Sequence, residues 1–415
     1  IYRFKITMEK LKILIVNKFL YPRGGDCICT LNLRNLLEKN GHKVVFFSMN
    51  HPQNIDYPES QYFAEEISFE GGIGEKLKAA GRIIWGIGIK TKFEKLLDTF
   101  QPNVVHLNNI HSYISPIVAH LAYQRKIKVV WTMHDYKLIC PSYSCLCHGK
   151  ICESCFKNKF YVIARKCMKN SIAASLLSYL EALQWNKKCL SKWTDTFICP
   201  SHFMAEKMQA GGYSPQQLKV ICNFIDDEKI RLISTIQQDK RENAYCYIGR
   251  LSVEKGIESL LSIATSLPYK LYIAGTGPLE NELKKKYNVS NIQFLGQLDY
   301  REVISLLKRV RFSVMPSACY ENNPLSVIES LCCGTPVLGS KMGGIPELIT
   351  DEYSRLFVLN DNMDLQNKIL EMFDGNKTIN NNRLAKVSIS RFSSVTYYNT
   401  IMETYINNNI CNQYH

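Results

Sequence analysis

Two glutamates stand eight residues apart in the stretch YENNPLSVIESLCCGTPVLGS that begins at Tyr320: Glu321 and Glu329. A carboxylate can accept hydrogen bonds from two vicinal hydroxyls, which is how acidic side chains grip riboses and sugars. Between them, Asn323 suits a helix N-cap and Pro324 the first helical position. The free N–H groups of such a helix start are a natural anion site. Carboxylates flanking an anion site fit a nucleotide-sugar; the same residues also fit a surface Glu and a half-buried helix Glu. Arg250 and Lys255 are two cations beside Gly249 at the end of the run AYCYIGR. They would cradle a diphosphate whose leaving group gains charge in the transition state, or serve as an exposed basic pair.

Further candidates sit where apolar runs end. Gly24 and Gly25 follow the first run and allow close backbone approach to a phosphate or sugar, or simply a tight turn. Gly275 and Gly277, in AGTGPL, form another strand-to-helix turn, a weak signal alone. His134, in TMHD, could donate a hydrogen bond to a sugar hydroxyl, with Asp135 orienting it or the acceptor; a lone histidine is as readily structural. Ser201, after Pro200, would face the same cleft.

Positioning these residues requires strands that end together. Strand-like runs KILIVN, KVVFFSM, NVVHLNN, KVVWTMHD and DTFICPS alternate with helical patterns in the first half. AYCYIGR, YKLYIAGTG, IQFLGQL, FSVMPS and TPVLGS restart the rhythm in the second. Continuous apolar strands separated by helices imply parallel sheets covered on both faces. The polar segment from Asp226 to Asn243 reads as a linker. The expected architecture is therefore α/β: two doubly wound Rossmann-like domains facing a central cleft, at 8–225 and 240–388. A C-terminal helical segment at 389–415 would cap the second domain or cross back to the first.

The 415 residues are 46% hydrophobic and 21% charged, ordinary for a globular chain with two cores. The apolar stretch from Ser171 to Trp185 is too short to span a membrane, contains Glu181, and reads as a buried helix. No secretory pattern opens the sequence, and IYRFKIT before Met8 reads as an extension. The sixteen cysteines are scattered through apolar runs, as reduced core thiols would be, so the cytoplasm is the expected compartment. The net charge of +14 suggests an acidic partner: nucleotide phosphates, an anionic membrane or nucleic acid.

The E-x7-E spacing, followed by G-T-P-V and G-G-x-P-E-L and preceded by G-R-L…K-G, resembles the family 4 retaining glycosyltransferases of the GT-B fold. The likeness spans most of the chain. It implies that Glu321 contacts the transferred sugar and Glu329 the ribose. Backbone groups near Asn323, Pro324 and Leu325 would serve sugar and phosphates, and Arg250 and Lys255 the diphosphate. The glycine loop at Gly24–Gly25 would close over the donor, the turn at Gly275 and Gly277 around base and ribose. The family's strand-end histidine corresponds to His134. Two departures stand out: Asp26-Cys27 where many relatives carry a small residue and a glutamate, and Asn223-Phe224 in place of Asn-Gly. The implied reaction moves a sugar, with retention, from a nucleotide-sugar to a glycan or lipid-linked acceptor. The product would be a surface polysaccharide such as capsule, exopolysaccharide or lipopolysaccharide. The leaving phosphate assists acceptor deprotonation, and no catalytic cofactor is needed. The alternatives are another sugar-nucleotide enzyme such as an epimerase, or a basic, metal-stapled nucleic-acid-binding protein. The second leaves the glutamate pair unexplained, so no nucleic acid partner is expected.

Two segments lie outside that scheme. Six cysteines crowd residues 140–167, and Cys152-x-x-Cys155 with Cys140 and Cys167 would complete a structural zinc site, unless the cysteines are there by chance. The segment from Glu75 to Leu97 mixes lysines with Ile83, Ile84, Trp85 and Ile87. It reads either as a core helix with a wet face or as a helix lying on an anionic membrane at the inner face of the cell.

Overall fold

Strands form where β-branched and aromatic runs are short enough to be buried on both faces. In the computed structural model, which describes residues 10–69, 71–237, 240–374 and 379–407, the first half gives β1 (Lys12–Val16), β2 (Lys43–Phe47), β3 (Val104–Leu107) and β4 (Lys128–Thr132). A small antiparallel hairpin, β5 (Leu146–Cys147) and β6 (Lys150–Ile151), follows, then β7 (Thr196–Cys199) and β8 (Leu218–Val220). The second half gives β9 (Ala244–Ile248), β10 (Lys270–Ala274), β11 (Ile292–Gly296), β12 (Phe312–Met315), β13 (Val337–Ser340) and β14 (Arg355–Phe357). Two six-stranded sheets result, ordered β2-β1-β3-β4-β7-β8 and β11-β10-β9-β12-β13-β14. Every pairing recorded within them is parallel.

The α/β architecture is the one the alternating pattern implied. The short strands β5, β6, β8 and β14 were not anticipated. The linker is not structureless: its first half is a helix, Asp227–Thr235, capped by the Asp226 carboxylate accepting from the Glu228 N–H at 2.8 Å. The segment from Glu75 breaks into helices Ile73–Trp85 and Lys90–Phe100 at Gly86 and Gly88, both at positive φ. Residues 8 and 9 of the expected first domain, and 408–415 of the expected terminal segment, lie outside the described residues, as does the extension before Met8.

The helix Ser394–Ile406 buries Ile401, Met402 and Tyr405 against Ile13, Ile15, Phe46 and Val130 of the first sheet. Tyr405 hydroxyl and His106 Nδ1 meet at 2.5 Å, and Tyr398 hydroxyl and His42 Nε2 at 2.8 Å. The chain thus returns from its second half to fasten onto its first.

Candidate active site

In each sheet the loops leaving the carboxyl ends of the strands gather on one side, where open α/β sheets bind ligands. They enclose a cleft of about 1720 Å³ between the two halves. Lys18, Asn109, His134 and Asp135 reach it after β1, β3 and β4; Gly249, Arg250, Gly275 and Glu321 reach it after β9, β10 and β12.

Lys255 Nζ donates to Glu321 Oε1 at 2.5 Å, and the Ser317 hydroxyl donates to the same oxygen at 2.6 Å. Burial works against the Lys255 ammonium, but the Glu321 carboxylate outweighs it and holds Lys255 above the ordinary lysine range. The two residues therefore form one unit, a cation and a carboxylate side by side. Arg250 is exposed in the same cleft, with no ion-pair partner among the described residues. Glu329 is paired too: Lys229, on the linker helix, donates to it at 2.7 Å while lying over the Tyr300 ring. Nothing local in the sequence joined these residues, which are 100 positions apart.

The helix after β12 starts one residue later than expected. It runs Leu325–Cys332 with Pro324 at the N-cap, and no side chain caps its first N–H groups. Asn323 is not the cap. Its Oδ1 accepts from the Asn223 N–H at 2.9 Å, and its carbonyl accepts from the Asn223 side chain, also at 2.9 Å. Pro324, Leu325 and Ser326 line the cleft directly, so the anion-binding end of this helix opens into it.

The glycines divide into two groups. Gly275, at φ +124°, and Gly277 exist for packing: a Cβ on either would strike the backbone of Gly249 or Leu251. The Gly249 and Leu251 N–H groups donate to Ala274 and Thr276 carbonyls at 3.0 and 2.9 Å, locking the two turns into one wall. Gly25, in contrast, has nothing within 4 Å of where a Cβ would sit, and with Gly24 it opens the helix Gly25–Lys39 onto the cleft. Gly343 and Gly344 do not line the cleft. A Cβ on Gly343, at φ +62°, would strike the Glu321 backbone, and one on Gly344 the Asn322 carbonyl. Gly344 N–H donates to the Glu321 carbonyl at 2.7 Å. The pair thus lets one loop pass behind another and fixes the backbone carrying Glu321. Gly343→Ala is expected to cost at least about 1–2 kcal/mol from the left-handed backbone alone, visible as a lower thermal midpoint in calorimetry.

On the opposite wall, His134 Nε2 lies 2.9 Å from Asn108 Oδ1. Burial, only partly offset by Asp26, pushes its pKa down to about 4, so the ring is neutral at neutral pH. With the N–H given to the amide oxygen, Nδ1 is left as an acceptor, which reverses the donor role expected for it. Asp135 does not orient His134: its Oδ1 accepts from the Lys137 N–H at 2.9 Å. Asp26 is held by Asn109 at 2.9 Å and sits 3.9 Å from Lys18.

Ser201 is buried and turned away from the open cleft. Its hydroxyl caps the helix His202–Ala210 and donates to Asn322 Oδ1 at 2.9 Å. Asn322 in turn donates to the Met133 carbonyl at 2.6 Å. Glu347 accepts from the His202 and Phe203 N–H groups at 2.8 and 2.6 Å, supplying charge to that helix start from the other domain. Tyr320 hydroxyl donates to Glu153 at 2.8 Å. Asn322, Glu347 and Tyr320 form an inter-domain clasp that flanks Glu321. The G-G-x-P-E-L motif was the only sequence signal for it.

The expected quartet of Cys140, Cys152, Cys155 and Cys167 is not assembled. Cys140 shares thiol hydrogen bonds with Cys145 and Cys155, whereas Cys152 is held by Arg165 at 3.0 Å and Cys167 sits beside Cys147. Among the described residues no group of three or more His, Cys, Asp or Glu is arranged to hold a metal ion, and every described cysteine is free.

The family profile for glycosyltransferase family 4 matches residues 24–229, and that for glycosyl transferases group 1 matches residues 228–387. The chain belongs to this glycosyltransferase family. As a family 4 glycosyltransferase it is an enzyme of the transferase class, which removes the epimerase and nucleic-acid-binding alternatives. It is 28% identical over 354 residues to an uncharacterised 42.6 kDa protein in the cps region of Klebsiella pneumoniae, covering 81% of this chain and 87% of that one. The solved structure of Anabaena HepE in complex with UDP and glucose superposes with a TM-score of 0.65 at 17% identity, covering 95% and 99% of the two chains. Sucrose-phosphate synthase from Thermosynechococcus elongatus gives 0.67 at 18% identity, covering 95% and 98%. The fold of this glycosyltransferase is accordingly GT-B.

Proposed function

We propose that this glycosyltransferase moves a sugar from a nucleotide-sugar to a glycan or lipid-linked acceptor, with retention, during assembly of a surface polysaccharide in the cytoplasm. The observation that carries the reading is the Lys255–Glu321 unit, beside Arg250 and an uncapped helix start, in one cleft opposite His134. The donor would lie along the second domain, residues 240–388, and the acceptor would enter from the first, residues 8–225. Arg250, Lys255 and the helix N-terminus would take the diphosphate charge as it grows; Glu321 would hold the sugar hydroxyls and Glu329 the ribose. Gly24 and Gly25 would let backbone close over the phosphates, and Gly275 and Gly277 would shape the wall around the base. Positioning by the clasp supplies the remainder: it fixes Glu321 relative to the His134 loop. His134 Nδ1 would accept from a donor-sugar hydroxyl.

A same-face reaction, in which the leaving phosphate takes the acceptor proton, is favoured by the committed state of the cleft carboxylates. Glu321 is tied to Lys255, Asp26 to Asn109, and Asp135 to its own loop, so none is presented as a free nucleophile. A relative in a cps region and a neighbour holding UDP with glucose support the pathway and the donor class. Thermal shift against a panel of nucleotide-sugars, with release of nucleoside diphosphate, tests the reading.

A further inference from the structure

The helix Ile172–Gln184 is built inside out. Its buried residues are Ser175, Ser178 and Glu181, while Ile172, Leu176, Leu180 and Leu183 form an exposed stripe at helical spacing. The sequence expectation of a buried helix is thus corrected: the apolar face points outward. Two contacts along the inward polar stripe fix the rotation, and Glu181 Oε1 is left without a hydrogen-bond partner among the described residues. Glu181 pairs with Lys137 at 2.8 Å, and Ser175 hydroxyl accepts from the Met168 N–H at 3.1 Å.

Beside it packs the helix Ile73–Trp85, tied by Trp185 Nε1 donating to the Ile83 carbonyl at 2.6 Å. Its Ile73, Leu77 and Trp85 are 81%, 67% and 61% exposed. Contiguous exposed apolar residues of this kind are what soluble chains avoid unless something covers them. The surround is basic. Lys76 and Lys78 are exposed on one helix, Lys78 paired with Glu65 at 2.6 Å; Arg165, Lys166, Lys169, Lys187 and Lys188 flank the other. Glu75 is the one acid on the first helix, and Glu181, the one acid on the second, is buried. Both helices also line the cleft, through Lys76 and Ile83 on the first and Ala174 and Leu177 on the second.

We propose that the joined outer faces of these two helices dock on an anionic lipid leaflet. An apolar stripe rimmed by lysines matches the acyl boundary and the headgroup charge together. A second copy of the chain would bring the same basic rim against itself. No helix among the described residues is long and apolar enough to cross a membrane, so the contact is one of lying on the surface. Docking would put the cleft mouth at the bilayer, where an acceptor with a hydrocarbon tail can present its head to the donor. That last consequence rests on the transferase reading; the docking does not.

The test is flotation with vesicles mixing phosphatidylglycerol and phosphatidylcholine, and with phosphatidylcholine alone, while Trp85 fluorescence is followed. The chain is expected to float with the anionic vesicles, to shift Trp85 emission to the blue, and to release as salt is raised. The exposed double variant Leu176→Glu/Leu180→Glu should lose at least about tenfold in vesicle affinity. UDP-dependent thermal shift of the variant reports separately on the fold and the donor site, so loss of docking and loss of the transferase reading are distinguishable. The proposal is overturned if the native chain stays off anionic vesicles at low salt, or if the variant binds them equally. It is equally overturned if the substitutions abolish a dimer and leave vesicle binding unchanged.

Discussion

Lys255→Ala is expected to weaken nucleoside diphosphate binding by roughly 2 kcal/mol, about thirtyfold in Kd. Two effects add. The variant removes a cation that lies in the cleft, and it strips the counter-charge from Glu321, which is only 11% exposed. An uncompensated carboxylate then faces the phosphates it formerly shared a lysine with. Isothermal calorimetry with UDP and ADP measures the change. Arg250 is the internal comparison, because it has no ion-pair partner among the described residues and its loss leaves no orphaned carboxylate. An unaltered affinity in Lys255→Ala would remove the diphosphate cradle from the account.

Glu321→Gln should act on the other quantity. The amide keeps an oxygen able to accept from Lys255 and Ser317, so the loop and the fold should hold. What disappears is the negative charge and, with it, the proposed grip on the sugar hydroxyls. A fall in kcat on the order of 10²–10³ is expected, the scale on which single electrostatic contacts to a reacting centre act. Nucleotide affinity should stay the same or rise slightly, since a repulsive charge near the diphosphate is gone. Turnover equal to that of the native chain would sink the sugar-contact role for Glu321. The opposite signs predicted for nucleotide affinity in the two variants separate a paired unit from two independent contacts.

Which of these features could be read from residues alone depends on how far apart their determinants lie. Strands of four or five residues with continuous apolar burial, such as Lys12–Val16 and Phe312–Met315, carry their own pattern. Edge strands of two or three residues, such as Leu218–Val220, carry too little to see. The Glu321 loop and the glycine turns were legible because their motif is local. The partners of the two glutamates were not. Lys229 reaches Glu329 and Lys255 reaches Glu321 only because the linker helix and the β9 loop fold over the β12 helix. Ser201 misled for the same reason: ending a cleft-side strand puts a residue near the site, but Asn322, from the other domain, claimed its hydroxyl. The helix Ile172–Gln184 exposes a further limit. A period of 3.6 identifies an apolar face and says nothing about whether that face turns inward; the buried Lys137–Glu181 pair decides it. Cysteine density likewise suggested a metal knuckle, yet the loop places Cys152 with Arg165 and not with Cys140.

The clasp ties these observations to function. Asn322, Glu347 and Tyr320 hold the second domain's loop against the first domain's strand ends, and Gly343 and Gly344 allow the backbone approach that makes this possible. On the proposed reading, substrate positioning would be a property of this interface as much as of either sheet.

On the proposed reading the cleft takes a nucleotide-sugar and transfers its sugar. The most direct measurement is incubation with individual nucleotide-sugars, following thermal stabilisation and release of nucleoside diphosphate in the native chain and in Glu321→Gln. At least one donor is expected to stabilise both proteins, and only the native chain to turn it over at an appreciable rate. A panel in which no nucleotide-sugar stabilises the native chain, or in which both proteins release nucleoside diphosphate equally, would contradict it.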